Sequence, residues 1–195
     1  MTIKIPTNKS ITVRQYIAWK KAKDDIERMI VITGWSPKQI SGLKPETIDT
    51  AITLFTDSIE DKSGEFVRMF DVRKKFKRKR LAIIPNFESM TLAEYSMADE
   101  MKIAAFDQKK WDKVIELLCV LYRPVKHKLG DWYTIEKYDT DKVPYYKEYL
   151  LDMSLYNLNG VIAFFLTFAI ELSKVSTQSL TQTMEKIQNL SEIQD

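Results

Sequence analysis

The sequence predicts a mainly α-helical domain with one β-hairpin at about residues 65–84. Three observations predict it. Apolar residues recur at helical spacing along most of the chain. The period changes over Glu65–Val72 and Lys79–Ile84, short runs rich in Phe, Val, Ile and Met. Caps, prolines and glycines punctuate the segments at helix-sized intervals. With 195 residues, 45% hydrophobic and 29% charged, the chain can bury a core without disulfides or metals.

A helix is expected from about Thr12 to Thr33, with Val13, Tyr16, Ile17, Ile26, Met29 and Ile30 on one side, ended by Gly34. Ser36, Pro37 and Gln39 open a short second helix, because Ser caps, Pro suits the first helical position and Gln39 completes a capping box. Gly42 stops it. A third helix starts at Pro45 and carries Ile48, Ile52, Phe55 and Ile59 to about Glu60, before the polar tract Asp61–Gly64.

The hairpin follows, with Arg73 to Arg80 at or near its tip and Pro85 after it. Thr91 with Glu94 forms a second capping box and opens a helix to about Ala105. Asp107 is expected to cap the next helix, whose stripe of Trp111, Val114, Ile115, Leu118, Cys119 and Tyr122 ends before Pro124. Arg123 to Val143 reads as a long loop that can include a short strand. Helices over Pro144–Asn157 and from Gly160 to about Lys174 follow, with Asn157 and Asn159-Gly160 as punctuation. Residues 1–175 are expected to form one domain and 176–195 a polar C-terminal helix or tail. The latter has a narrow seam of Leu180, Met184, Ile187 and Leu190.

Composition weighs against familiar chemistry. The single Cys119 and single His127 supply neither a zinc finger nor a two-histidine metal site, so no metal and no cofactor are expected. Five glycines include no phosphate-cradling motif. The carboxylate pairs at Asp24-Asp25, Glu60-Asp61, Asp99-Glu100 and Asp139 with Asp141 fall in polar surface contexts, where carboxyl groups keep ordinary acidity. No catalytic residue is assigned, and a non-enzymatic protein is expected. Cys119 reads as a small buried hydrophobe. The longest apolar run, Val161–Ile170, has ten residues where a membrane span needs about 20, so no membrane partner is expected. The opening MTIKIPTNKS lacks the apolar core of a signal peptide, and no N-terminal signal is expected.

Charge is the strongest signal. Arg73, Lys74, Lys75, Lys77, Arg78, Lys79 and Arg80 place seven cations in eight positions. Without them, 23 of the 30 basic residues remain against 27 acidic ones, so a body of about −4 carries one intensely basic spot. Nucleic-acid phosphates, an acidic face of a neighbouring subunit, or counterions around a solvated tip would each neutralise it. Trp35, Trp132, Tyr133, Tyr138, Tyr145, Tyr146 and Tyr149 fall in expected loops or near them. They suit either a subunit interface or a cover over the core. The interface candidates are Trp132, Tyr133, Tyr138 and Tyr145, with the seam residues Leu180, Met184 and Ile187.

Several blocks carry a resemblance: Ile84-Pro85-Asn86-Phe87 with Met90-Thr91 and Glu94-Tyr95, Leu121-Tyr122-Arg123-Pro124-Val125, Tyr133-Thr134-Ile135-Glu136-Lys137-Tyr138, and Gly160 to Phe165. Across about Thr12 to Leu172 the chain resembles small virion or assembly proteins of tailed phages of Bacteroidota, including crAss-like phages. The resemblance implies a non-enzymatic building block of the head-to-tail connector or tail, made in the bacterial host cytoplasm and located in the virion. Its implied partners are portal, tail or ring subunits and further copies of itself. A ring subunit is the first expectation; a tail assembly chaperone and a nucleic-acid-binding accessory protein acting through the basic hairpin are the alternatives.

Overall fold

The computed structural model describes residues 3–74, 77–85 and 90–167; at 72–74, 77–78 and 92 the description is of the backbone alone. The expected first helix is two, α1 (Val13–Lys21) and α2 (Asp25–Thr33). Ala22 is extended, and the Asp24 carboxylate accepts the backbone N–H of Glu27 at 2.8 Å, so Asp24 starts a new helix instead of continuing the old one. Gly34, with φ 71°, ends α2 in the left-handed conformation that glycine adopts without strain. The short α3 (Pro37–Ile40) and the long α4 (Pro45–Glu60) fall where the caps place them, and the backbone N–H of Ser36 donates to Gln39 Oε1 at 3.0 Å.

The hairpin is β1 (Met69–Lys74) with β2 (Lys77–Ile83), both antiparallel. After it, α5 (Leu92–Lys102) starts on the Thr91–Glu94 capping box and relaxes into a π-helical turn, Ile103–Asp107. Asp107 therefore closes that turn and caps nothing. Asp112 stands before α6 (Lys113–Leu121). Val114, Ile115 and every residue from Leu117 to Leu121 are buried, so α6 is apolar nearly all round and forms the central helix.

The largest departure from expectation follows α6. The stretch read as a loop is a second hairpin, β3 (Tyr122–Leu129) with β4 (Trp132–Ile135), and the sheet has four antiparallel strands in the order β1-β2-β3-β4. The fold thus mixes helices with a small sheet and is not a helical domain with a single hairpin. Pro124 and the charges of Lys126, His127 and Lys128 obscured the alternation. Gly130-Asp131, a two-residue hairpin turn with Gly130 at φ 58°, was its legible mark.

A turn of 3₁₀ helix (Thr140–Lys142) leads into α7 (Val143–Leu150), and α8 spans 155–167. The expected helix over Pro144–Asn157 breaks at 151–153, because Ser154 pairs with Thr12 in an isolated bridge and its hydroxyl accepts the Asn157 N–H at 3.2 Å, starting α8. Asn159-Gly160 lies inside α8 rather than between helices. The Asn159 amide donates to the carbonyls of Asp61 and Ser63 at 2.9 and 3.2 Å. A Cβ on Gly160 would lie 2.2 Å from the Glu65 carbonyl carbon, so only glycine lets this backbone pass so close. The expected tail helix and its seam lie outside the described residues.

Candidate functional site

The basic segment is built into the first hairpin. Register places Arg73 opposite Arg78 and Lys74 opposite Lys77, and Val72 opposite Lys79. Like charges directly opposite across an antiparallel ribbon destabilise it by roughly 0.2–1 kcal/mol per pair. The Arg80 guanidinium donates to both oxygens of Asp71, at 2.8 and 3.1 Å, and that hydrogen bond, then the carboxylate's charge, raises the Arg80 pKa. Lys75 lies outside the described residues. The hairpin tip therefore concentrates positive charge along two strands, with Asp71 at its root.

The root is firmly held. Leu81, Ala82 and Ile83 are buried and pair with Pro124, Arg123 and Tyr122 of β3. The Tyr122 hydroxyl donates to the Val67 carbonyl, and the Tyr133 hydroxyl donates to the Ile83 carbonyl at 3.0 Å. Arg123, 5% exposed, donates to Glu94 Oε1 at 2.8 Å, while Glu94 Oε2 accepts the Thr91 N–H at 3.0 Å. One carboxylate thereby ties the start of α5 to the centre of the sheet.

The aromatic candidates divide. Trp132 and Tyr145 are 62% and 70% exposed and remain free for an interface. Tyr133 is buried and serves the sheet instead, its ring covered and its hydroxyl used internally. Tyr138 and Trp35 pack half-buried on the core, and Tyr146 and Tyr149 are buried in it, the Tyr146 hydroxyl donating to the Cys119 carbonyl at 3.2 Å. Leu180, Met184 and Ile187 lie outside the described residues.

Sequence reasoning missed Lys126, His127 and Lys128, which stand exposed on β3 next to exposed Leu129 and Trp132 at the second hairpin's tip. The Gly130-Asp131 dipeptide was the signal that could have found them. Among the described residues no group of three His, Cys, Asp or Glu is placed to hold a metal ion. Cys119 is buried, and burial pushes its thiol pKa up to about 12, which keeps it protonated and unreactive at neutral pH. No helix among the described residues is long and apolar enough to cross a membrane.

No protein-family model, curated protein or solved structure matches the chain.

Proposed function

We propose that the protein is a non-enzymatic structural component of a tailed-phage virion, a ring subunit of the head-to-tail connector or tail, whose basic hairpin meets an anionic partner, DNA before an acidic subunit face. The observation that carries this reading is the hairpin itself, with like-charged residues directly opposite one another on strands rooted in the core. Such a ribbon works against its own pairing when alone and gains when an anion is near. The phage setting rests on the resemblance of the Ile84–Tyr95, Leu121–Val125, Tyr133–Tyr138 and Gly160–Phe165 blocks. A ring subunit needs two complementary faces on one chain, and the basic hairpin and the exposed Trp132 and Tyr145 supply surface of different chemistry for them.

Mass spectrometry of purified particles tests the reading. The expected result is that the chain is present at a fixed multiple of the portal copy number, and that the purified protein forms closed oligomers in native mass spectra. Absence from particles together with a strict monomer at all concentrations overturns it, and presence only in assembly intermediates indicates a tail assembly chaperone.

A further inference from the structure

The β2–β3 register has a consequence for the direction of the two hairpins. β2 runs from the first tip to the root and β3 from the root to the second tip, and they pair only at Leu81–Pro124, Ala82–Arg123 and Ile83–Tyr122. Beyond Leu81 and Pro124 the ladder stops, yet both hairpins continue on the same side of the root. At about 3.4 Å per residue, Lys77–Arg80 reach roughly 14 Å past the last pair and Val125–Leu129 roughly 17 Å. The molecule therefore carries a two-armed fork. The first arm bears Arg73 to Arg80, and the second bears exposed Lys126 and Lys128 with His127 between them. At the root the facing strands are about 4.8 Å apart. That is less than the roughly 8 Å Debye length at physiological salt, so the fields of the two arms add there.

We propose that the β3–β4 hairpin is the second arm of a duplex-DNA-binding surface, with Lys126 and Lys128 engaging phosphates alongside the cations of the first arm. The inference rests on the proposed anionic contact of the first hairpin and extends it to residues that contact did not include. Duplex DNA suits two cationic ribbons pointing the same way because its phosphates form two rows flanking a major groove about 12 Å wide, which admits a two-stranded ribbon. One arm enters the groove while the other follows an adjacent phosphate row. The anchors at the root, Tyr122 to Val67, Tyr133 to Ile83 and Arg123 to Glu94, fix the arms in relation to the helical body.

The test is fluorescence anisotropy of the full chain with a labelled 20-base-pair duplex across a salt series, alongside polyglutamate of matched charge. The parent chain should bind the duplex with log affinity falling linearly in log salt, by about 0.9 for each phosphate-bound cation. Lys126→Ser with Lys128→Ser should make the slope shallower by about 1.8 and weaken binding, while Lys126→Arg with Lys128→Arg restores both. Lys74→Ser, Lys75→Ser, Arg78→Ser and Lys79→Ser together should remove about 3.6 from the slope. Lys126 and Lys128 are exposed, and the melting curve of their serine variant, followed by circular dichroism, should coincide with the parent's. An unchanged slope in the Lys126/Lys128 serine variant, with a flattened one in the first-arm variant, overturns the second arm and leaves the first-hairpin contact standing. No duplex binding by the parent, or polyglutamate bound more tightly than duplex, overturns the DNA assignment of both arms.

Discussion

Glu94 does two jobs with one carboxylate: it caps α5 and neutralises Arg123, whose side chain is 6% exposed. Removing it leaves a buried guanidinium, whose Nε already has no hydrogen-bond partner, without its counter-charge. Loss of one member of a buried pair costs about 3–5 kcal/mol, against about 1 kcal/mol for a lost cap alone. Glu94→Ala should therefore lower stability severalfold more than Thr91→Ala, read as the shift in urea midpoint. Titration sets a second expectation. Burial pushes Tyr16 and Cys119 up to about 12 from ordinary values of 10.0 and 9.0. A raised pKa for an acid that is neutral when protonated means that the folded state holds the proton where the unfolded state has released it. The associated stability is complete below pH 9 and is lost as pH rises through the interval to about 12. Urea midpoints should fall steadily above pH 10. Tyr16→Phe should reduce that decline by up to about 1.4 kcal/mol per pH unit. A flat profile between pH 9 and 11 would contradict the burial.

At the scale of elements, α8 and the segment after α4 meet backbone to backbone. Gly160 faces the backbone of Glu65 and Phe66, Asn159 donates to Asp61 and Ser63, and Phe66 stacks on Phe164 at 3.9 Å between ring centroids. Gly160→Ala forces a methyl into carbonyl and amide atoms that belong to backbone and cannot rotate away. It should cost about 1–3 kcal/mol or more, whereas Gly42→Ala, whose added Cβ meets nothing nearer than 3.7 Å, should be neutral or stabilising by about 0.4–1 kcal/mol. Equal melting temperatures for the two variants would remove the close contact from the account. This joint also shows what the sequence could reveal. α3, α4, the start of α5 and the first hairpin were legible because caps, prolines and a change of period act locally. Asn159-Gly160 carries the local signature of a turn, yet it lies in a helix because a distant backbone needs the space. β3 was hidden because α6 passes into it without a break between Leu121 and Tyr122, and its outer half is charged. Of the candidate site, the cations of the first arm were plain in composition. Lys126 and Lys128 join them as candidates only because the register of β2 with β3 turns both hairpins the same way.

The whole molecule combines one core with one charged extremity. A single cluster of buried side chains runs from Ile11 and Val13 through Phe55, Leu81 and Leu118 to Phe165, drawing on helices and sheet alike, so the described residues should unfold in one transition. Of the seven cations, Lys79 and Arg80 are not among its buried residues. Replacing Lys74, Lys75, Arg78 and Lys79 with serine takes the net charge from +3 to −1 and removes the opposed pair Lys74–Lys77 and half of Arg73–Arg78. If the hairpin cations only repel one another in the isolated chain, relief of that repulsion should raise the urea midpoint slightly at low salt, by about 0.2–1 kcal/mol per opposed pair. The gain should vanish near 1 M salt, where the Debye length is about 3 Å. If they were instead neutralised by the acidic body of about −4, the same variant would lose stability at low salt and recover it at high salt. The register, with Arg73 facing Arg78 and Lys74 facing Lys77, favours the first outcome. A midpoint that drops at low salt would mean that the body already supplies the hairpin's anionic partner, and the case for an external one would fall with it.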